Sequence, residues 1–293
     1  MNMFAIFCAL IVDAWLGDPA HFPHPVKLIG RLARDFEVFF RSKIRNVFWA
    51  GVLATLVCYI VTAAVPGLLY FFGDKIHPLL GFIIAVYFIY SGIALRDLMN
   101  HAKDVYQALE KEKNIVLARE KVGKMVGRDT QNLSEKEIIR ATIESVAESI
   151  VDGVTAPLFF AFIAGVPGIM LYKAINTLDS IYGHKDEQYF LFGKFAARVD
   201  DVANFIPARI TAPLIAFSAF LLSLDGKASL KIMLRDGKKH PSPNSGLAEA
   251  AVAGALGVQL GGENTYLGIK EWLNHIGDDK QSPATKHIID VNN

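Results

Sequence analysis

Apolar residues in this chain come in long unbroken runs rather than in alternation. Between Arg45 and Asp74 lie 28 residues without an Asp, Glu, Lys or Arg, and between Lys75 and Arg96 lie 20. Both runs exceed the roughly 18 apolar residues at which a helix can cross a bilayer. The pattern therefore predicts two membrane helices joined as a hairpin at Gly73-Asp74-Lys75-Ile76. Trp49, Tyr59, Tyr70, Tyr87 and Tyr90 supply aromatic residues suited to the ends of such helices. The run from Met1 to Gly17 lacks a basic start and a small-residue cleavage site. It reads as a retained short membrane helix rather than a secretory signal, with Asp13 required to face protein or water.

Later runs are shorter or interrupted. Residues 153–172 are 20 uncharged positions broken by Pro157, Gly165, Pro167 and Gly168; residues 210–224 give 15 and residues 250–262 only 13. Such lengths suit re-entrant or buried helices as well as full spans. The expected fold is all-α: a polytopic helical membrane protein with broken or re-entrant helices in its second half, one membrane-embedded domain over residues 1–293. Lys and Arg number 6 in residues 18–46, one in 73–76 and 10 in 96–149. The positive-inside rule places 18–46 and the polar segment 96–149 in the cytoplasm.

Composition sharpens this picture. Of 293 residues 52% are hydrophobic and 20% charged, with 30 Lys and Arg against 29 Asp and Glu, so neither disorder nor a nucleic-acid partner is expected. Cys8 and Cys58 both lie in apolar runs, which excludes a disulfide framework and a cysteine-based zinc site. Lipidation signals, a glycine-rich phosphate loop, GxGxxG and HExxH are all absent from the sequence.

Residues 144–158 (ESVAESIVDGVTAPL) and 200–214 (DDVANFIPARITAPL) form an internal repeat, with Val-Ala, the isoleucine and Thr-Ala-Pro-Leu at identical offsets. Glu144 pairs with Asp200, and Glu148 with Asn204. Each copy has a polar beginning that runs into an apolar stretch. Paired broken segments of this kind mark a site in transporter repeats. A turn at Gly165-Val166-Pro167-Gly168 would return the chain and keep both polar ends on the cytoplasmic side.

Arg140, Glu144, Glu148 and Asp152 fall at successive i+4 positions, which aligns one base and three carboxylates on a helix face. Like charges so spaced repel unless a cation compensates, and Mg²⁺ is commonly held by one or two carboxylates plus phosphate oxygens. A solvated acidic face is the plainer alternative. Arg128, Asp129 and Thr130 combine a base, an acid and a hydroxyl suited to phosphate and metal, or to a simple turn before a helix capped by Ser134 with Glu137. Lys173 and Asn176, with Asp179 adjacent, offer a cation and a hydrogen-bonder to phosphate, or else an interfacial helix end. Arg198, Asp200, Asp201 and Asn204 precede Arg209, a charge close to the membrane phase for which Asp201 or Asp152 would be partners. His24, between prolines, is a base or a turn residue. The loop His240 to Gly246 reads as a connector whose Ser242, Asn244 and Ser245 can cap the next helix.

Several blocks together are familiar: DAWLGDPAHFPHPVKLIGR (13–31), VGRDT (126–130), RATIESVAESIVD (140–152), YKAINTLDS (172–180), ARVDDVANFIPAR (197–209) and SPNSGLAEAAVAGALGVQL (242–260). In this order the chain resembles the adenosylcobinamide-phosphate synthase family of cobalamin biosynthesis, over residues 13–268. The resemblance implies a multi-pass enzyme of the cell (inner, cytoplasmic) membrane, its site facing the cytoplasm. It also implies an ATP- and Mg²⁺-dependent ligase joining a propionate of adenosylcobyric acid to (R)-1-aminopropan-2-ol or its O-phosphate, with other cobalamin-pathway enzymes as candidate partners. On chemical grounds Glu144, Glu148, Asp152, Asp129 and Asp200 are then expected to hold Mg²⁺ and nucleotide. Lys173, Arg198 and Arg209 would neutralise phosphoryl charge, and Asp201 or His24 would accept the proton of the amine. Asn264 to Leu267 falls in a tyrosine-containing segment expected near the corrin. Family members often carry a further apolar helix beyond the point where this sequence stops, and activity would fall if that helix supports the site. Two rival readings are a transporter and a non-catalytic partner that hands corrinoid between enzymes.

Overall fold

A computed structural model describes residues 3–18, 24–183 and 186–292. Pro19 and Pro23, in the stiff turn expected after the first helix, lie outside them. The described elements run α1 (Met3–Leu16), α2 (Pro25–Lys43), α3 (Val47–Ile76), α4 (Pro78–Tyr90), α5 (Leu95–Glu110), α6 (Ile115–Val122) and α7 (Glu135–Ile150). A π-helical turn (Val151–Thr155) follows, then α8 (Ala156–Tyr182), α9 (Lys194–Ala203), α10 (Phe205–Leu221), α11 (Gly226–Asp236), α12 (Ser245–Leu256), β1 (Leu260–Tyr266), β2 (Ile269–Ile276) and α13 (Thr285–Asn292). The chain divides into two compact units, Met1–Arg96 with Asp152–Asn204, and Asp97–Val151 with Phe205–Asn293.

In the first unit the starts of α2, α3 and α4 each have a chemical reason. His24 and His77 accept from the backbone N–H two residues on, at 3.3 and 3.2 Å, each ahead of a proline that needs no partner for its missing donor. Asn46 caps α3 by accepting from Trp49 N–H at 3.2 Å. His24 is thus a helix cap, and its other ring nitrogen faces Asp18 at 3.2 Å, which fits the turn reading rather than the role of base. At 30 residues α3 is about 45 Å long, enough to cross a bilayer. The next uncharged run is not one helix: α4 ends at Tyr90, and the chain turns through residues 91–94 before α5. Small residues (Ala5, Ala9, Ala50, Ala54, Ala85) fill the helix contacts, as close packing in a membrane favours. Leu53, Ile60, Leu68 and Phe72 on α3, with Phe4 and Phe7 on α1, face outward as a lipid-facing surface. Asp13 is buried and accepts from Arg96 N–H at 3.2 Å, which meets the requirement that it avoid lipid.

Helix α8 folds back on itself. The rings of Phe160 and Tyr172 stack at 5.2 Å, whereas residues twelve apart on a straight helix would be separated by about 18 Å. The reversal falls at Gly165, whose φ of 66° and ψ of −143° suit glycine alone. Gly165→Ala is therefore expected to destabilise the protein by about 1–3 kcal/mol, read as a lower melting temperature in detergent.

Among the described residues three stretches can cross a membrane by length and composition, Val47–Ile76, Pro78–Glu110 and Glu135–Tyr182, and a bent pair (Lys194–Ala203 with Phe205–Leu221, 46°) would make a fourth. The third of these contains the reversal at Gly165, so it does not run straight. Each copy of the sequence repeat contains one passage of the chain between units, at 151/152 in the π-helical turn and at 204/205 at the bend.

The second unit is organised around α12. Eleven of its 12 residues are buried, because alanine and glycine let neighbouring backbones approach closely; Ser229 donates to Ala251 O at 2.7 Å. Helix α7 opens with the expected capping box, Ser134 N–H donating to Glu137 Oε2 at 2.7 Å and Glu137 N–H to Ser134 Oγ at 3.4 Å. Strands β1 and β2 form an antiparallel hairpin that the helical pattern did not suggest. Its tip, Leu267 and Gly268, has positive φ at both residues (51° and 78°), as a tight two-residue hairpin turn requires. The far end of β2 is tied down by Asp236, which is buried, receives Arg235 at 2.6 and 2.8 Å and Lys239 at 2.7 Å, and accepts from Gly277 N–H at 3.0 Å.

Candidate functional site

In the second unit α7, α12, the hairpin and the loops after α6 and α11 enclose a cavity of about 140 Å³. Arg128, Glu144, Glu148, His240, Glu249 and Tyr266 supply most of its polar wall. Glu144 is buried and its oxygens are committed: Oε2 receives the Arg128 guanidinium, and Oε1 accepts from Gly261 N–H at 2.8 Å with Arg140 Nε 3.7 Å away. Arg128 also donates to Asn264 Oδ1. Arg140 donates to Gly261 O, to Glu263 O at 2.8 Å and to Asn264 Oδ1 at 3.0 Å. This cationic pair therefore clamps β1 onto α7, and Glu144 is the anion that holds both guanidinium groups in place. One turn later Glu148 is exposed, with only Ser245 Oγ among the described residues donating to it, at 3.0 Å, so it remains open to a ligand.

His240 and Glu249 complete the wall. Ser242 N–H donates to His240 Nδ1 at 3.0 Å, which leaves the proton on Nε2, 3.6 Å from Glu249 Oε1. Burial lowers the pKa of His240, so the imidazole is neutral at pH 7. Glu249 is 5% exposed; burial first, and then the charges of Glu144 and Glu148, push its pKa well above the ordinary range. A raised carboxyl pKa means that the folded state holds a proton which the unfolded state has lost. Stability is then unaffected below about pH 4.3, and falls as pH rises from there toward the raised value. Glu249→Gln, which mimics the protonated form, should remove that fall and match or exceed the wild-type melting temperature at pH 7; melts across pH 5–8 would show it.

A second polar cluster lies in the first unit. Asp152, in the π-helical turn, receives Asn176 Nδ2 at 3.2 Å and faces Tyr172 Oη at 3.5 Å. Tyr172 donates to Asn204 Oδ1 at 2.9 Å, and Asn204 Nδ2 donates to Asp200 Oδ2 at 3.0 Å. Lys173 is buried within electrostatic reach of Asp152, Asp18 and Asp13.

The helix stripe read from the sequence is thus shared between two sets of partners. Glu144 and Glu148 line the cavity with Arg128, while Asp152 joins Asp200, Asn204 and Asn176 in the first unit. Among the described residues no three His, Cys, Asp or Glu side chains gather in a way that could hold a metal, so the five carboxylates assigned to one Mg²⁺ site do not form a single cage. Asp129 pins the hairpin tip: its carboxylate accepts from Gly268 N–H and its N–H donates to Thr265 O, both at 2.8 Å. Thr130 is buried with its hydroxyl toward Gly123, away from any phosphate role. Arg198 is mostly exposed and reaches Asp201 at 3.9 Å, a surface pair. Arg209 stacks on Phe205 at 3.4 Å and donates to Phe205 O at 2.8 Å and Asn244 Oδ1 at 3.4 Å, instead of pairing with Asp201 or Asp152. Asp179 acts electrostatically on Asp200.

Glu249 and His240 were not singled out from sequence as site residues, and Asn264 entered only as the start of the segment expected near the corrin. Glu249 carried a usable signal, a lone acid inside an alanine-rich helix, which burial makes costly unless it has a purpose. Ser242 rather than Asn244 caps α12, accepting from Ser245 N–H at 3.3 Å, and that capped turn is what brings His240 to the cavity.

Apolar helices long enough to cross a bilayer, an outward apolar surface and enclosed acidic clusters define a membrane protein with an internal polar site. The family model described as CobD/Cbib protein matches residues 6–293, and the chain belongs to that family. The cobalamin biosynthesis protein CobD of Leptospira interrogans is 49% identical over 98% of this chain and 91% of its own length. The CobD of Clostridium perfringens is 44% identical over 99% of this chain and 92% of its own length. The cobalamin biosynthesis protein CbiB of Salmonella arizonae is 41% identical, covering 98% and 91%. No solved structure matches the chain.

Proposed function

We propose that this chain is the amide-forming ligase of its pathway, joining a propionate of adenosylcobyric acid to (R)-1-aminopropan-2-ol or its O-phosphate at the expense of ATP. Family membership supports the pathway. The observation that carries the chemistry is the cavity of the second unit, where an exposed carboxylate, Glu148, stands beside a clamped arginine and a buried acid, Glu249.

A carboxylate does not react with an amine, because hydroxide is a poor leaving group. Its oxygen must first attack the γ-phosphorus of ATP, releasing ADP and leaving an acyl phosphate. The amine nitrogen then attacks the acyl carbon, the carbon–oxygen bond to phosphate breaks, inorganic phosphate departs, and the nitrogen loses its extra proton to a base. Mg²⁺ with the nucleotide would supply charge neutralisation at the phosphoryl group. Glu148, exposed and not paired with a guanidinium, would be the carboxylate of the cavity that holds the ion, with phosphate oxygens expected to supply further ligands. Arg128 fixes the cavity wall and lends positive potential to developing phosphoryl charge. Neutral His240 faces Glu249 across the cavity at 3.6 Å.

The mechanism is tested by labelling the corrinoid carboxylate with ¹⁸O. Transfer of one label to inorganic phosphate, in step with amide formation, supports activation through an acyl phosphate. Amide formed without label in phosphate would contradict it.

A further inference from the structure

We infer that Asn264 is the residue that receives the acyl oxygen of the substrate's carboxyl group, donating to it from the side-chain amide; this rests on the ligase reading above and adds a residue to the same cavity. Asn264 and Tyr266 are two apart on β1 and both line that cavity, as positions on one face of a strand do. The orientation of the Asn264 amide is fixed by its partners. Arg128 donates to its Oδ1, and Arg140 does so at 3.0 Å. A guanidinium only donates, so the end that faces both arginines is the oxygen and the NH2 group is the other. That group is left over: Asn264 is 3% exposed, and its Nδ2 is buried without a hydrogen-bond partner among the described residues.

A buried donor left unpaired is costly unless a ligand completes it. Only an acceptor can do so, and a negatively charged oxygen suits best. Two guanidinium groups on Oδ1 polarise the amide and strengthen its N–H donors. The substrate carboxyl group offers such an oxygen in both steps of the reaction. In the first step one carboxyl oxygen attacks phosphorus and the group gives up negative charge, so a donor on its other oxygen holds it in place without speeding the attack. In the second step the amine nitrogen bonds to the acyl carbon and the electron pair of the carbonyl π bond moves onto the acyl oxygen. That pair returns as the bond from carbon to the phosphate oxygen breaks and phosphate leaves. Charge on the acyl oxygen peaks between these events, and a fixed donor aimed at it stabilises the transition state. Arg128 and Arg140 act from behind the amide, since they are committed to Glu144, to β1 and to Asn264 itself.

The test uses purified full-length protein carrying Asn264→Asp or Asn264→Leu. Asn264→Asp keeps an oxygen for both guanidinium groups, so it should melt at or above the wild-type temperature. Asn264→Leu removes the donor without adding a charge. Both should raise the Kd for adenosylcobyric acid about tenfold or more, the loss of a hydrogen bond to a charged group. At saturating substrate both should slow amide formation about 10²–10³-fold. With the amine withheld, the single equivalent of ADP formed from ATP and corrinoid should appear at the wild-type rate, a split between the two steps that mere loosening of the clamp would not give. Wild-type amide formation in folded Asn264→Asp would overturn the proposal, as would an equal loss of ADP formation. If the wild-type protein releases neither ADP nor amide, the ligase reading fails. A corrinoid Kd that still depends on Asn264 would then uphold the contact, and one that does not would overturn it as well.

Discussion

Arg128→Ala is expected to lower stability by about 3–5 kcal/mol, the range seen when one partner of a buried ion pair is removed. The guanidinium touches Glu144 and Asn264 at once, and its loss strands a carboxylate that is 9% exposed beside Arg140 alone. Because β1 is held to α7 through these groups, the hairpin should loosen together with the cavity wall. Limited proteolysis near Leu267, at the exposed tip, reports that loosening, and chemical unfolding in detergent reports the free energy. Arg128→Met combined with Glu144→Leu should recover only part of the loss: no carboxylate is then stranded, but Arg140 lacks its anion. If Arg128→Ala melts with the wild type and the tip stays protected, the clamp has been misread.

Glu148→Gln should have the opposite profile: a melting temperature near wild type and amide formation reduced about 10²–10³-fold. The stability expectation follows from exposure and from Ser245, whose hydroxyl at 3.0 Å can donate as well to an amide oxygen as to a carboxylate. The activity expectation follows from charge, because Glu148 is the exposed carboxylate of the cavity, whereas Glu144 is held by guanidinium groups and Glu249 is buried. Near-normal turnover in the folded variant would remove Glu148 from the chemistry and return attention to the acids of the first unit.

Much of this was readable in the sequence. Uncharged runs located α3 and the apolar stretch after it, Ser134 and Glu137 announced the start of α7, and Gly165 with Pro167 marked the reversal in α8. The i+4 stripe was the instructive failure. It assumed a regular helix through Asp152, but a π-helical turn begins at Val151, and Asp152 takes its partners from α8 instead of continuing the Glu144–Glu148 row. The hairpin was invisible because β1 is a glycine-containing strand of mixed polarity, LGGENTY, held by Arg128, Arg140 and Asp129 rather than by an apolar face. That tertiary use of VGRDT also explains why the motif looked like a phosphate binder: the same donors and acceptors serve backbone carbonyls and amides.

The most direct test of the central claim is a product assay on detergent-purified protein. Adenosylcobyric acid, Mg²⁺, ATP and either aminopropanol or its O-phosphate are supplied, and mass spectrometry follows the corrinoid. The account predicts a mass gain equal to the amine less one water, with ADP and phosphate formed in equal amounts, and no gain when ATP or amine is withheld. Unchanged corrinoid from folded protein with both amines supplied would contradict it.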